Sequence, residues 1–493
     1  MGTINRFSRR VTAGLLLLSL VISGCAIVPA PTRSARVGDG GELGACADLF
    51  ASLDRSVARA RVGDSGAFRV EGFPYLRVNR FLASFREKGI EPEAFSAWID
   101  RMLALDREAR RFEVANLPEA KAAAAGPGER RKGVEAMIAA CGDRMRAADF
   151  AEADRRAALR AGLSVPDEYL THWKIVGIYP FTRLFVSSGV SRWHAAARHN
   201  FSTDPPAGWG STRYVPETVH DRSSVAVAIA ESPRDALGIP EYSAQARVAL
   251  FRAHAPIWQI QTEGEFDRIG APAWDAEGRL TVDTTRPQVY TLLSFTRFEG
   301  EVLTQLNYII WLPSRPKAHA LDIYGGFLDG VTFRVTLGTD GEPQLYETVH
   351  NCGCYYAAYP THRLRVREKI DLAEPPLILM APQRDAASNC LAVAVESHTH
   401  FVRHLFPLAC SAPKDAATYR LADYNELRSL GLPCGGRRSM FGPDGLVAGS
   451  ERLERFILWP TGVVSPGAMR QSGRHAVAFV GKRHFDDPFA LEA

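Results

Sequence analysis

Long apolar runs are almost missing from this 493-residue chain. Beyond residue 24 no stretch reaches the ~18–20 consecutive apolar residues that a membrane-spanning helix needs. The best one, Ile175 to Val190, is interrupted by Pro180 and Arg183. An excess of one charge is missing too, with 59 basic residues facing 55 acidic ones for a net +4. That balance argues against bulk nucleic-acid binding, which relies on many phosphate contacts from a basic face. Lysine is scarce: 51 of the 59 basic residues are Arg. The excess of Arg fits a GC-rich coding sequence, and also fits planar recognition of carboxylates or phosphates. No H-E-x-x-H helix, G-x-S-x-G elbow, P-loop or strand-following G-x-G-x-x-G occurs. There is no internal repeat and no low-complexity tract beyond Ala122–Ala125. With 46% hydrophobic and 23% charged residues, the composition is that of a folded protein.

The N-terminus carries a different signal. Arg6, Arg9 and Arg10 precede the apolar run VTAGLLLLSLVISG, and Cys25 follows. A basic segment and a short apolar one predict an export signal over residues 1–24. Ile22-Ser23-Gly24-Cys25 resembles the lipobox of bacterial lipoproteins. That resemblance implies that Cys25 receives a diacylglyceryl group, is exposed by cleavage and is then N-acylated, for example with palmitate. Several acyl chains make anchoring to a bilayer stable. Ala26 in place of Asp implies the outer membrane, on its periplasmic face. Loss of the three leader arginines lowers the net charge from +4 to +1.

Residues 25–45 read as a lipidated Cys and a Pro/Gly/Ser-containing tether. Residues 46–165 read as helical. Leu49, Leu53 and Val57 keep helical spacing, as do Trp98, Met102 and Leu105, and then Ile138, Cys141 and Met145. Pro92 marks a helix start and Pro118 an exit, residues 117–133 read as an exposed loop or a helix end followed by a loop, and Gly126-Pro127-Gly128 breaks any helix. From 166 to 493 the pattern changes to period 2. Val289–Phe298 and Val302–Leu312 flank Glu299-Gly300-Glu301, and Val331–Leu337 and Gln344–Val349 flank an Asp340-Gly341 turn. Both predict hairpins. Leu377–Met380, Leu391–Val395 and His475–Val480 are further strand candidates. The fold expected is α+β, a helical N-terminal part followed by a large antiparallel β-rich domain.

The strings DIYGGFLDGVTFRVTL (322–337), HNCGCYY (350–356) and GRHAVAFVGKRHFDDP (473–488) resemble an uncharacterised group of Gram-negative lipoproteins, a resemblance that covers most of residues 245–490. That resemblance implies no activity and assigns no catalytic residue.

Eight cysteines become seven once Cys25 is assigned to lipid. Cys46 and Cys141 lie in the helical part and can pair across it in an oxidising compartment. Five thiols remain, enough for two pairs and one free thiol. His350, Cys352 and Cys354 alternate, so an extended backbone would aim all three to one face, as a Zn or Cu site needs. His398, His400 and His404 form a second set, with strand spacing for the first two and helical spacing for the last two. The simpler reading of both sets is disulfides and hydrogen-bonded histidines. Cys352-Gly353-Cys354-Tyr355 looks like a papain-type pattern with one residue missing, which removes the geometry that gives that pattern meaning. Gly435-Gly436-Arg437-Arg438-Ser439 offers backbone N–H groups and guanidinium to an anion, or is a basic loop. Arg474-His475 and Arg483-His484-Phe485-Asp486-Asp487 bring His and carboxylate together. The leading expectation is an envelope-tethered binding or scaffolding protein with an envelope protein or glycan as partner and no nucleic acid. The alternative is a metal-dependent hydrolase acting on an envelope substrate.

Overall fold

The computed structural model describes residues 41–86, 91–118, 127–203, 209–218, 223–367, 374–383, 389–410, 416–478 and 480–492. The expected leader, Cys25 and most of the expected tether lie outside these residues.

The helices are α1 (Glu42–Ala60), α2 (Arg80–Ala83), α3 (Pro92–Asn116), α4 (Pro127–Ala151), α5 (Ala153–Gly162), α6 (Thr171–Val176), α7 (Tyr179–Phe201), α8 (Ser223–Glu231), α9 (Ala244–Ala253) and α10 (Arg455–Leu458). Strands β1 (Phe68–Val70) and β2 (Phe73–Val78) form a small hairpin within the helical part. Strands β3 (Ser211–Pro216), β4 (Ile257–Gln261), β5 (Ala271–Trp274), β6 (Leu280–Asp283), β7 (Gln288–Phe298) and β8 (Glu301–Arg315) follow. Then come β9 (Gly326–Leu337), β10 (Pro343–His350), β11 (Ala357–Pro360), β12 (Leu377–Ile378), β13 (Asn389–Val395), β14 (Val402–Ala409), β15 (Ala417–Asp423), β16 (Leu430–Gly431) and β17 (Arg437–Arg438).

Eleven strands make one curled sheet in the order β12-β11-β10-β9-β8-β7-β15-β3-β4-β13-β14. The α+β class and the helical-then-β order hold, but the sheet is mixed where an antiparallel one was expected. β15 inserts between β7 and β3 and runs parallel to both, and β13 runs parallel to β4. Parallel pairs need long crossovers, and the chain supplies them: over 100 residues separate β7 from β15 and β4 from β13.

Both expected hairpins form, with Phe298 opposite Glu301 and His350 opposite Val331. β8 is buried from Val302 to Leu312 because both of its faces are covered. Leu306, Tyr308 and Ile310 point into the main core. The intervening polar residues bond across strands, with Gln305 Nε2 donating to Thr336 at 3.3 Å and Asn307 Nδ2 to Leu292 O at 2.8 Å. Residues 475–480 were expected to form a strand and do not: their described part is tied into a tight return. Val477 N–H donates to Arg483 O at 2.9 Å, and Ala478 N–H to Gly353 O at 3.1 Å.

The helical part packs its own core around Phe50, Trp98 and Met102. Ile138, Cys141 and Met145 are buried together, as their spacing predicts. Pro127, expected to break a helix, starts one, a position where its missing N–H costs nothing. This layer seats on the sheet where Phe81 meets Phe295 at 5.7 Å and Arg297 donates to Ser84 O at 2.9 Å. The region after 166 also holds helices α6 to α9, which its period-2 texture did not announce.

Candidate functional site

The His350–Tyr356 segment leaves the end of β10 as a turn. Gly353 N–H donates to His350 O at 2.7 Å, and His350 N–H to Cys354 O at 3.0 Å. Gly353 has φ +91°, and a Cβ there would collide with Ala476 O. The extended backbone expected for residues 350–354 is therefore absent, and its three side chains do not share a strand face. Cys352 and Cys354 join an apolar cluster with Leu328 and Met469. His350 instead packs on Tyr355 at 4.9 Å and Phe401 at 5.8 Å.

A buried acid–imidazole chain links the two histidine segments. His400 Nδ1 lies 2.8 Å from Asp329 Oδ2, and its Nε2 lies 3.2 Å from Asp267 Oδ1. Asp329 Oδ1 is also 3.7 Å from His350 Nδ1. Asp267 accepts from Ser397 Oγ at 2.8 Å and from the N–H groups of His398 and Glu263. Burial would lower the His400 pKa, yet the bonds to Asp267 and Asp329 raise it. Burial lowers His350 more than Asp329 restores it. Burial works against the Asp329 carboxylate, but His350 and His400 hold it well below its usual range. Leu328, Tyr355, His398 and His400 all have left-handed backbones here. Such strain persists only where surroundings over-determine it. His400 is fully buried, so the chain pins β9, the β10 turn and the β13–β14 loop together rather than facing a ligand.

The six side chains put forward as metal ligands thus divide. His350 and His400 meet at Asp329, while Cys352 and Cys354 pack elsewhere. His398 is half exposed, with its ring 4.9 Å from Phe266 and its Nδ1 3.6 Å from Glu263. His404 sits on β14 between Phe201 and Phe406. Among the described residues, no three His, Cys, Asp or Glu side chains are arranged to hold a metal ion.

Cys46 and Cys141 form a disulfide between α1 and α4, as expected. A second joins Cys390 to Cys410 across β13 and β14. Cys352, Cys354 and Cys434 remain thiols, so the C-terminal part has one pair where its five cysteines would allow two. The Cys354 thiol is pushed well up by its bond to Cys352 and by burial, which opposes thiolate chemistry. The C-terminal histidines serve packing. His475 Nε2 contacts Asn351 O at 3.0 Å, and burial takes its pKa down to about 4. His484 lies against Tyr169 at 5.4 Å, and Asp486 pairs with Arg80 at 3.3 Å.

The Gly435–Ser439 loop has a more open setting. It borders a cleft of about 1240 Å³ between the helical layer and the C-terminal loops. Arg61, Arg279, Arg437 and Arg438 line it, with Trp274 and Asn116, and no Asp or Glu is among its lining residues. Arg438 stacks over the Trp274 ring at 4.2 Å, and Trp274 Nε1 donates to Arg438 O at 3.2 Å. Arg437 is fixed from behind by Ser429, with its Nε 2.8 Å from Ser429 Oγ. Arg279 reaches Asp275 and Glu277 at 2.9 and 3.1 Å outside the cleft. Gly435 and Gly436 have φ +91° and +82°, and no heavy atom lies within 4 Å of where their Cβ atoms would stand. The backbone is therefore open to a ligand on that side. Of these residues the sequence drew attention to the 435–439 loop, and to Trp274 only as one of six tryptophans that could stack on a sugar or pack in the core. Arg61, Trp274 and Arg279 come from distant segments, and nothing in the local pattern marks the two arginines.

A second, smaller cleft of about 380 Å³ is lined by Arg315, Tyr324 and His398. Behind it lies Glu454, whose carboxyl burial raises to about 7 although Arg315 and Arg452 oppose the shift. No protein-family model matches the chain, and comparison with curated proteins and with solved structures gives no significant match.

Proposed function

We propose that this chain is a binding protein tethered in the bacterial cell envelope, with an anionic glycan, phosphorylated or rich in uronate, as its ligand. One observation carries the reading: a cleft of about 1240 Å³ lined by four arginines and a tryptophan and by no carboxylate. Guanidinium forks match phosphate and carboxylate oxygens, and an indole face stacks on a sugar ring. The volume exceeds that of an ordinary small-molecule pocket, which suits an oligomeric ligand. The resemblance of Ile22-Ser23-Gly24-Cys25 to a lipobox supports the tether, and Ala26 supports the outer-membrane, periplasmic location.

The test is a tryptophan-fluorescence titration of the full chain with a phosphorylated oligosaccharide, with the Trp274→Phe chain titrated alongside to isolate the contribution of Trp274 among the eight tryptophans. Saturable quenching that weakens with added salt is expected. Arg438→Ala should weaken binding roughly 10-fold, about 1.4 kcal/mol, because it removes both a charge and the stack on Trp274. An unchanged titration in Arg438→Ala, or no saturable response at low salt, would reject the cleft as the site.

A further inference from the structure

Helices α6 and α7 carry an apolar face that nothing in the described chain covers. Ile175 and Val176 on α6, Ile178 between the helices, and Phe181, Leu184 and Phe185 on α7 are all more than half exposed, with Phe185 at 85%. Phe181, Leu184 and Phe185 are spaced three and four apart, so they share one side of the helix. α6 has no buried residue, and α7 has one, His194, in its second half. That half is the docked one, where Trp193, Ala197 and Phe201 pack on the sheet core.

The face continues onto α10. Trp173 meets Trp459 at 6.4 Å, and Leu170 N–H donates to Gly462 O at 2.8 Å. Gly177 lies so close to Pro460 that a Cβ would stand 2.5 Å from the proline Cβ. Phe456 and Ile457 on α10 are each 58% exposed. Glu454 N–H donates to Ile323 O at 3.1 Å, which brings in the neighbouring loop and its 83% exposed Leu321.

The helix pair α6–α7 carries charge of one sign, whereas Asp322 adjoins Leu321 and Glu451 and Glu454 precede α10. Between residues 169 and 203 there is no Asp or Glu, while Lys174, Arg183, Arg192 and Arg198 are present. Arg455 on α10 adds another cation. The Glu374 carboxylate beside α7 is engaged by Tyr179 Oη at 2.5 Å and Gly481 N–H at 2.9 Å. Aromatic and aliphatic side chains accompanied by cations, on a helix pair of which α6 is too short and α7 too polar to span, are the features of a helix that lies in a membrane interface. No helix among the described residues is long and apolar enough to cross a membrane.

We infer that α6, α7 and α10 form a membrane-contacting face that beds into an anionic lipid surface. The inference is separate from the arginine cleft, and it does not depend on acylation of Cys25. It makes the body of the protein a second point of attachment, which would fix its orientation on the bilayer.

The test places an environment-sensitive fluorophore on the full chain at Phe185→Cys, in a Cys434→Ser background to remove the exposed thiol. A control carries it at Val248→Cys on α9, also exposed. Each protein is mixed with phosphatidylcholine vesicles containing or lacking phosphatidylglycerol. The expected result is a blue shift at position 185 with anionic vesicles, together with quenching by spin-labelled lipid, and no change at position 248. Adding Arg183→Glu and Arg192→Glu should abolish the shift. An unchanged signal at 185 would overturn the inference, as would an equal response at both positions or with both vesicle types. A blue shift that appears without vesicles and grows with protein concentration would also overturn it, in favour of a second copy of the chain on this face.

Discussion

Arg77 and Arg110 are fully buried, and their charges are matched by Asp54, Asp106 and Glu113. Arg77 reaches Glu113 at 2.7 Å and Asp106 at 3.2 Å, while Arg110 reaches Asp106 at 2.7 Å and Asp54 at 2.9 Å. Burial alone would raise the Glu113 pKa, but Arg77, Arg69 and Arg110 take it down to about 2. A glutamate whose folded pKa lies below its unfolded one contributes stability above the unfolded value of ~4.3, and that contribution is lost as pH falls toward 2. Denaturation monitored by circular dichroism should therefore show a fall in stability between about pH 4.5 and pH 2. The Glu113→Gln chain should have a flatter profile over that window, and an identical slope in both would refute the assignment. Arg77→Leu takes from buried Glu113 its nearest cation and from Asp106 one of two, and should cost roughly 3–5 kcal/mol at neutral pH, measured by urea unfolding. None of this was legible in the sequence. A buried arginine carries no local mark, and these five partners are scattered over some sixty residues.

At the scale of elements, the readable parts were those whose pattern is local. The Asp340-Gly341 turn and the alternation on either side placed the β9–β10 hairpin correctly. The spacing of Ile138, Cys141 and Met145 placed α4. β15 was not foreseen because ATYRLAD is short and half polar, and its two parallel partners lie far back in the chain. Residues 475–480 have the composition of a strand, yet their hydrogen bonds go to a tight return and to the Gly353 turn. The Ile175–Val190 run was noticed only as a poor membrane span, and the structure makes it a helix pair with an uncovered face. The Cys46–Cys141 bridge ties α1 to α4 across 95 residues. Cross-linking a loop of that size constrains the unfolded chain by about 4–5 kcal/mol at most. Cys46→Ser with Cys141→Ser should lower stability by about 2–5 kcal/mol in urea unfolding, with the loss confined to the oxidised comparison. Equal stability of the oxidised wild type and the double variant would show that the bridge constrains nothing.

For the molecule as a whole, the histidine and cysteine segments that dominate the sequence turn out to be joints. Asp329 gathers His350 and His400, and the Gly353 turn locks against Ala476. Two surfaces among the described residues offer more to a partner: an arginine-lined cleft beside the helical layer and an exposed apolar face on α6, α7 and α10. Both are assembled from segments far apart in the chain, which is why single-segment motifs pointed to neither in full. The Gly435–Ser439 loop was visible as a source of backbone N–H groups and guanidinium, but the cleft exists only once Trp274, Arg279 and Arg61 are folded beside it. The most direct measurement of the central claim is amide hydrogen exchange of the full chain with and without a phosphorylated oligosaccharide. Ligand-dependent protection over residues 432–439 and 274–280, lost in Arg438→Ala, is the predicted result. Protection that instead centres on the 350–354 and 398–404 segments, or no protection at saturating ligand, would contradict it.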